Sequence, residues 1–110
     1  MRTPPSLAAA ALGAGLLLSS SAIAAPVTDA DLSGKKFCWN DGGTETYYAG
    51  GRYSSSNDGE GTWTVTANGV AISTNQITGL ADMQKLADGT FSATWLVDGK
   101  PETWTGRYCQ

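Results

Sequence analysis

The chain has 110 residues with 7 basic side chains, 10 acidic side chains and no histidine, so its formal net charge is −3. Its basic residues are scattered, whereas contacts to a phosphate backbone need clustered Lys and Arg, and this excludes nucleic acid as a partner. The lack of histidine removes Ser-His-Asp and Cys-His catalysis and most zinc sites. We therefore predict a protein that is not an enzyme and uses no metal and no cofactor.

The first 24 residues have the features of a secretory signal peptide. Arg2 supplies a positive start, residues 7–18 form a short apolar run, and Ala22-Ile23-Ala24 is an A-x-A cleavage signal. The run is too short to cross a membrane. We predict export to the periplasm or out of the cell, an N-terminal leader over 25–33, and a single domain over 34–110.

Two cysteines, Cys38 and Cys109, are the only ones in the chain. The mature chain of about 86 residues has too small a core to be stable without help, so a covalent staple is expected. Export delivers the chain to an oxidising compartment, and two cysteines leave only one pairing. We predict a Cys38–Cys109 disulfide.

From Lys35 onward, short alternating segments are separated by turn signals such as Asn68-Gly69, Asp88-Gly89 and Asp98-Gly99. These segments predict eight strands in sequential order, at 35–40, 44–49, 52–55, 61–67, 70–75, 80–87, 91–97 and 101–109. The disulfide joins the first of these strands to the last, which favours a sheet that closes on itself. We predict an all-β, lipocalin-like small antiparallel barrel, with a two-sheet β-sandwich as the alternative.

The two faces of the strands differ in polarity. Phe37 and Trp39 lie on the face opposite Cys38, and Trp104 and Tyr108 lie on the face opposite Cys109, so the aromatic rings are expected inside and the sulfurs outside. The other face is rich in Thr, Ser, Lys and Arg, unlike the apolar outer face of a membrane barrel. We therefore expect no membrane insertion of the mature chain, and a monomer.

Two-residue turns at Asp88-Gly89 and Asp98-Gly99 place polar side chains on the aromatic face. This register sets Trp95 between Asp82 and Glu102, and Ala93 between Gln84 and Trp104. A buried carboxylate without a partner is costly, which leaves three explanations. A bulge turns Met83 inward and Asp82 outward, or the polar residues lie at an open mouth, or the barrel holds a ligand. The ligand-binding candidates are Trp39, Trp63, Asp82, Gln84, Trp95, Glu102 and Trp104, although an eight-stranded barrel is also narrow enough for four tryptophans to fill it.

A second candidate surface is the Gly-rich segment 50–61, read as a long loop. Tyr48, Arg52, Tyr53 and Asp58 in or beside it are of types suited to contact with another protein. Its Asn57-Asp58-Gly59-Glu60 stretch lacks the alternating ligands of a calcium loop. A carboxylate-only enzyme built on Asp82 and Glu102 would lack a nucleophile and an orienting partner.

Two resemblances accompany these patterns. Gly61-Thr62-Trp63 at the start of a strand resembles the Gly-x-Trp of lipocalin- and avidin-like binders. The size, the export signal and the two cysteines resemble the small periplasmic inhibitors of C-type lysozyme, which are eight-stranded barrels with a cystine. That family's inhibitory loop has its nearest match at 49–53, which lacks the family's serine and comes earlier in the chain, so its residues are not carried over. We expect a secreted or periplasmic binding protein whose ligand the sequence does not identify, with a small hydrophobic molecule as the candidate. The alternative is a protein-interaction module such as an inhibitor of an exported hydrolase.

Overall fold

The computed structural model describes residues 24–110, so the predicted signal peptide lies outside the described residues except for Ala24. The chain forms the predicted antiparallel barrel of eight strands and adds one further strand at its edge. In chain order the elements are β1 (Ala24–Pro26), α1 (Asp29–Leu32), β2 (Lys35–Trp39), β3 (Thr44–Tyr47), β4 (Arg52–Ser55), β5 (Gly59–Thr66), β6 (Gly69–Thr74), β7 (Thr78–Leu86), β8 (Phe91–Val97) and β9 (Lys100–Tyr108). Over this part of the chain, no helix has the length and apolar character needed to cross a membrane.

Strand β2 pairs with β9 and closes the barrel. Phe37 pairs with Tyr108, and the backbone N–H of Cys109 donates to the carbonyl of Lys36 at 2.8 Å. The Cys38–Cys109 disulfide crosses this seam, with Cα atoms 5.2 Å apart. Cys38 lies on the exposed face while its neighbours on β2 are buried, as the alternation predicted. The predicted barrel and its disulfide are both confirmed.

The hairpin between β5 and β6 turns slightly earlier than predicted. Thr66 pairs with Gly69, so Ala67 and Asn68 form the turn. The Thr66 hydroxyl holds this turn, because it accepts from the Asn68 N–H at 3.1 Å and donates to the Gly69 carbonyl at 2.8 Å. This register differs by two residues from an Asn68-Gly69 turn, so the buried faces of both strands are unchanged.

The predicted register between β7 and β8 is wrong by one residue. Met83 pairs with Ala93, and Asp82 pairs with Thr94. The turn has three residues rather than two, since the Leu86 N–H donates to the Thr90 carbonyl and Gly89 takes a φ of 88°. A shift of one residue moves every side chain of a strand to the other face. Met83 is therefore buried and Asp82 exposed, which is the first of the three explanations offered for the polar residues.

The segment expected to be a leader packs against one end of the barrel. β1 pairs with the last residues of β7, and the Val27 N–H donates to the Met83 carbonyl at 3.1 Å. Thr28 caps α1 through reciprocal hydrogen bonds with Asp31, the arrangement known as a capping box. Leu32 is fully buried and Val27 is 5 % exposed, so both belong to the core. We call this covered end the closed end.

Candidate functional site

The opposite end of the barrel is open. The turns that follow β2, β4, β6 and β8 meet there around a cavity of about 570 Å³, which we call the mouth cavity. This volume lies in the range of small-molecule sites, about 300–1,000 Å³. The cavity is lined by Trp39, Asp41, Gly43, Thr44, Glu45, Ser55, Asn57, Asp58, Gln76, Ile77, Thr78, Ala93, Trp95, Leu96, Val97, Asp98 and Trp104.

Three tryptophans line the mouth cavity, and two of them rest on glycines. A Cβ atom on Gly79 would lie 3.0 Å from the Trp95 ring, and one on Gly106 would lie 2.6 Å from the Trp39 ring. Trp39 also stacks on Phe37, with ring centroids 5.6 Å apart. Trp104 is partly exposed and pairs with Ala93 across the sheet. The small residues on the neighbouring strands thus leave room for the indole rings.

Glu45 lies on the inner face of β3 and contributes to the cavity lining. It pairs with Phe37 on one side and Ser55 on the other, and it is partly buried. The Tyr47 hydroxyl donates to Glu45 Oε1 at 2.7 Å. Burial raises the pKa of Glu45, and the neighbouring Tyr47, Tyr53 and Trp39 donors oppose that rise. Burial also raises the pKa of Tyr47 and Tyr53, and the nearby Glu45 carboxylate raises it further.

Two buried donors face the Glu45 carboxyl group without making a hydrogen bond. The Tyr53 hydroxyl and the Trp39 indole N–H lie close enough to lower its pKa, but among the described residues neither has a partner at hydrogen-bond geometry. Tyr53 is fully buried and Trp39 is 9 % exposed. An unpaired buried donor costs about 1–3 kcal/mol. The two buried donors without a hydrogen-bond partner therefore both lie beneath the mouth cavity.

The rim of the mouth cavity is acidic. Asp41, Asp58 and Asp98 line it together with Glu45, whereas no Lys or Arg of residues 24–110 does. Asp41 has a local role as well, because its carboxylate accepts from the Gly43 N–H at 2.8 Å and from the Asn57 amide at 3.4 Å. In the part of the chain that the structure describes, no three potential ligands are grouped so as to hold a metal ion.

The structure brings together three of the seven ligand-binding candidates. Trp39, Trp95 and Trp104 line the mouth cavity. The other four lie elsewhere. Trp63 packs near the closed end, where its Nε1 donates to the Tyr48 carbonyl at 2.9 Å. Glu102 pairs with Trp95 as predicted, but it is exposed and outside the lining. The one-residue shift of β7 places Asp82 and Gln84 on the outer face, where they hydrogen bond to each other.

The segment predicted as an interaction loop is mostly strand. β4 is the strand predicted over 52–55, and β5 begins at Gly59 rather than at residue 61, so only a short turn joins them. The four candidate residues of the interaction loop do not share a surface. Tyr48 and Arg52 lie at the turn between β3 and β4, with the guanidinium 4.3 Å from the tyrosine ring. Tyr53 belongs to the core and Asp58 lines the mouth cavity at the other end of β4. The glycines of this segment suggested a loop, but those at positions 59 and 61 lie within β5 and do not interrupt the strand.

The sequence reasoning missed Glu45 as a site residue. Glu45 lies between Thr44 and Thr46 and two residues before Tyr47. In a strand, this spacing puts Glu45 and Tyr47 on the same face, which is the aromatic inner face. A carboxylate on the inward phase of a strand is the signal that would have found it, by the same reasoning that singled out Asp82. No family model matches this chain, and no similar protein was found among the curated proteins or the solved structures.

Proposed function

We propose that this protein is an exported, non-enzymatic binding protein that holds a small, largely apolar molecule in the mouth cavity. The observation that carries the proposal is the open cavity of about 570 Å³ with three tryptophans in its lining. Indole rings provide large apolar contact areas, and ligand sites combine such rings with a few polar groups. Here those polar groups are Glu45 and the rim residues.

The interior of the barrel supports this division into a core and a site. Beneath the mouth cavity the barrel is filled by side chains that are buried almost completely, namely Phe37, Tyr47, Tyr53, Val70, Ile72, Met83 and Phe91. These residues form the core together with Trp39, whereas Trp95 and Trp104 are partly exposed and available to contact a ligand. The Cys38–Cys109 disulfide is consistent with export.

Titration with the neutral fluorophore N-phenyl-1-naphthylamine tests the proposal directly. We expect a saturable rise in probe fluorescence with one site per chain, because the probe moves from water to an indole-lined cavity. Trp95→Ala and Trp104→Ala should each weaken binding by about tenfold, which corresponds to about 1.4 kcal/mol. Trp63→Phe is the matched control, since Trp63 is a buried indole outside the cavity.

Two results would count against this function. A probe signal that never saturates would indicate no defined cavity site. Equal binding by Trp63→Phe and Trp95→Ala, both weaker than the original protein, would place the effect in general stability rather than in the mouth. Thermal melts of all variants separate these outcomes from unfolding.

A second candidate function is inhibition of an exported hydrolase by contact with that enzyme. The observation that favours it is the β8–β9 hairpin, whose Leu96 is 71 % exposed and whose Val97 is 38 % exposed beside the mouth. Exposed apolar side chains at a rim are typical of protein contact sites. Addition of the pure protein in excess to a lysozyme turnover assay tests one such target. An unchanged rate would remove that enzyme, and a rate restored by Leu96→Asp would assign the contact to this hairpin.

A further inference from the structure

The mouth cavity has negative charge without a counter-charge. Four of the chain's ten acidic residues line it, and none of the six basic residues in the described part of the chain does. Among the described residues, the salt bridge joins Lys85 to Asp31 at the closed end, 3.3 Å apart. Glu45 lies on the inner face of β3 and is partly buried, and its hydrogen bond comes from the uncharged hydroxyl of Tyr47.

The surroundings of Glu45 act on its charge in opposite directions, and burial, which disfavours the charged form, is the larger effect. Three donors neighbour one carboxyl group, namely the Tyr47 hydroxyl, which is already bonded, and the unpartnered Tyr53 hydroxyl and Trp39 indole N–H. Donors that point at a carboxylate favour its ionised form, but burial without an opposite charge disfavours it. A cation placed in the cavity would remove that conflict, because it would supply the missing opposite charge and so favour the ionised carboxylate.

Aromatic rings beside carboxylates form a recognised arrangement for organic cations. The face of an indole attracts an ammonium or guanidinium group, and tryptophan does so more strongly than tyrosine or phenylalanine. Trp95 and Trp104 are partly exposed and line the same cavity as Glu45 and Asp58. The largely buried Trp39 lies in the lining beside them. A cavity of this volume also exceeds what a single Lys or Arg side chain of a partner protein would fill, which favours a free molecule.

We propose that the mouth cavity binds a free organic cation, with an apolar or aromatic body against Trp39, Trp95 and Trp104 and an ammonium or guanidinium group directed to Glu45. This inference rests on the proposed binding function and assigns the chemical class of its ligand. It excludes fatty acids and other anionic amphiphiles, which the acidic rim would repel.

Three probes that share a phenyl ring and a short alkyl chain test the charge alone. Phenethylammonium, 2-phenylethanol and 3-phenylpropionate are titrated separately by calorimetry at pH 7.5 and low salt. We expect phenethylammonium to bind at least tenfold more tightly than 2-phenylethanol, and 3-phenylpropionate to bind most weakly. Added NaCl should weaken the ammonium ligand and leave the alcohol nearly unchanged.

Variants locate the charge effect within the chain. Glu45→Gln should reduce the preference for phenethylammonium over 2-phenylethanol to about threefold or less. Asp82→Asn removes the same charge from the outer face and should keep the full preference. Asp58→Asn removes one charge from the rim and should reduce the preference for phenethylammonium in part. This variant tests the charge effect independently if Glu45→Gln folds poorly.

The outcomes separate this inference from the function beneath it. If 2-phenylethanol binds as tightly as phenethylammonium, the cation assignment is wrong while the apolar binding site stands. If no probe, including N-phenyl-1-naphthylamine, binds the original protein, both proposals fail. If N-acetyl-arginine methylamide binds more tightly than phenethylammonium, the site recognises a cation but the free-molecule assignment is overturned in favour of a side chain of a partner protein.

Discussion

Removing the disulfide should lower stability severely, and the size of the loss follows from where it lies. Cys38 and Cys109 are 71 residues apart, so the bond closes a loop that covers almost the whole folded part of the chain. On the chain-entropy model, a loop of that length restricts the unfolded state by about 4 kcal/mol. Domains of this size have a total stability of roughly 5–15 kcal/mol, so this one bond supplies a large share.

The loss translates into a measurable melting shift. For 60–100 residues, each kcal/mol changes the midpoint by about 4–8 °C, so a loss of about 4 kcal/mol predicts a fall of roughly 20 °C. Circular dichroism melts of the oxidised protein, the reduced protein and the Cys38→Ser/Cys109→Ser double variant measure it. The last two should melt together, because both lack the same restriction.

Below its midpoint, the reduced protein should remain folded and keep its cavity. The β2–β9 pairing contributes its own hydrogen bonds, including that from Cys109 N–H to the Lys36 carbonyl, and the disulfide acts mainly on the unfolded chain. Binding of N-phenyl-1-naphthylamine at low temperature should therefore be retained. A reduced protein that melts within about 5 °C of the oxidised one would refute the reasoning that the bond restricts a long loop across the seam.

Three further predictions follow from the core and the site. Burial raises the pKa of Glu45, so its folded state holds a proton more tightly than the unfolded state, whose pKa is near 4.5. The melting temperature of the original protein relative to Glu45→Gln should then rise as pH falls from 7 to 4, and a fall would contradict this sign. Met83→Ala should cost about 2–5 kcal/mol and Asp82→Ala less than about 0.5 kcal/mol by urea denaturation. A larger loss for Asp82→Ala than for Met83→Ala would instead support the register in which Asp82 points inward. Gly106→Ala should cost about 1–3 kcal/mol, because its Cβ would lie 2.6 Å from the Trp39 ring and 2.7 Å from the Cys38 carbonyl. No change in melting temperature would show that both the Trp39 ring and the Cys38 carbonyl can move aside.

Local patterns predicted the strands well because each strand's side chains alternate between water and the core. The segment 61–66 shows this directly, with Trp63 buried between exposed threonines. The disulfide between the first and last strands of the barrel also predicted the closure. The parity of Cys38 predicted that it lies on the outer face of β2. The pairing of β8 with β9 was predicted residue by residue, because Asp98-Gly99 forms the expected two-residue turn and Asp98 takes a φ of 52°.

The site depended on one turn that the sequence did not resolve. Asp88-Gly89 fits both a two-residue and a three-residue hairpin loop, and the difference decides which face of β7 points inward. The longer turn is favoured because it buries Met83 and exposes Asp82. This difference in free energy arises only once the barrel has closed, since the inner face of β7 is buried by strands from the other side of the barrel. The sequence reasoning therefore selected Asp82 and Gln84 and overlooked Glu45.

The amino-acid sequence by itself determined the strand order, the covalent closure and the aromatic inner face, because these depend on alternation, turn residues and cysteine position along the chain. Only the tertiary structure decided that one end of the barrel is filled and the other open. Val27 and Leu32 cover the closed end. The segment 25–33 that contains them has no hydrophobic periodicity from which this packing could be predicted. At the mouth, Glu45 and three indoles meet from β2, β3, β8 and β9, and no local pattern specifies distances between strands so far apart in the sequence.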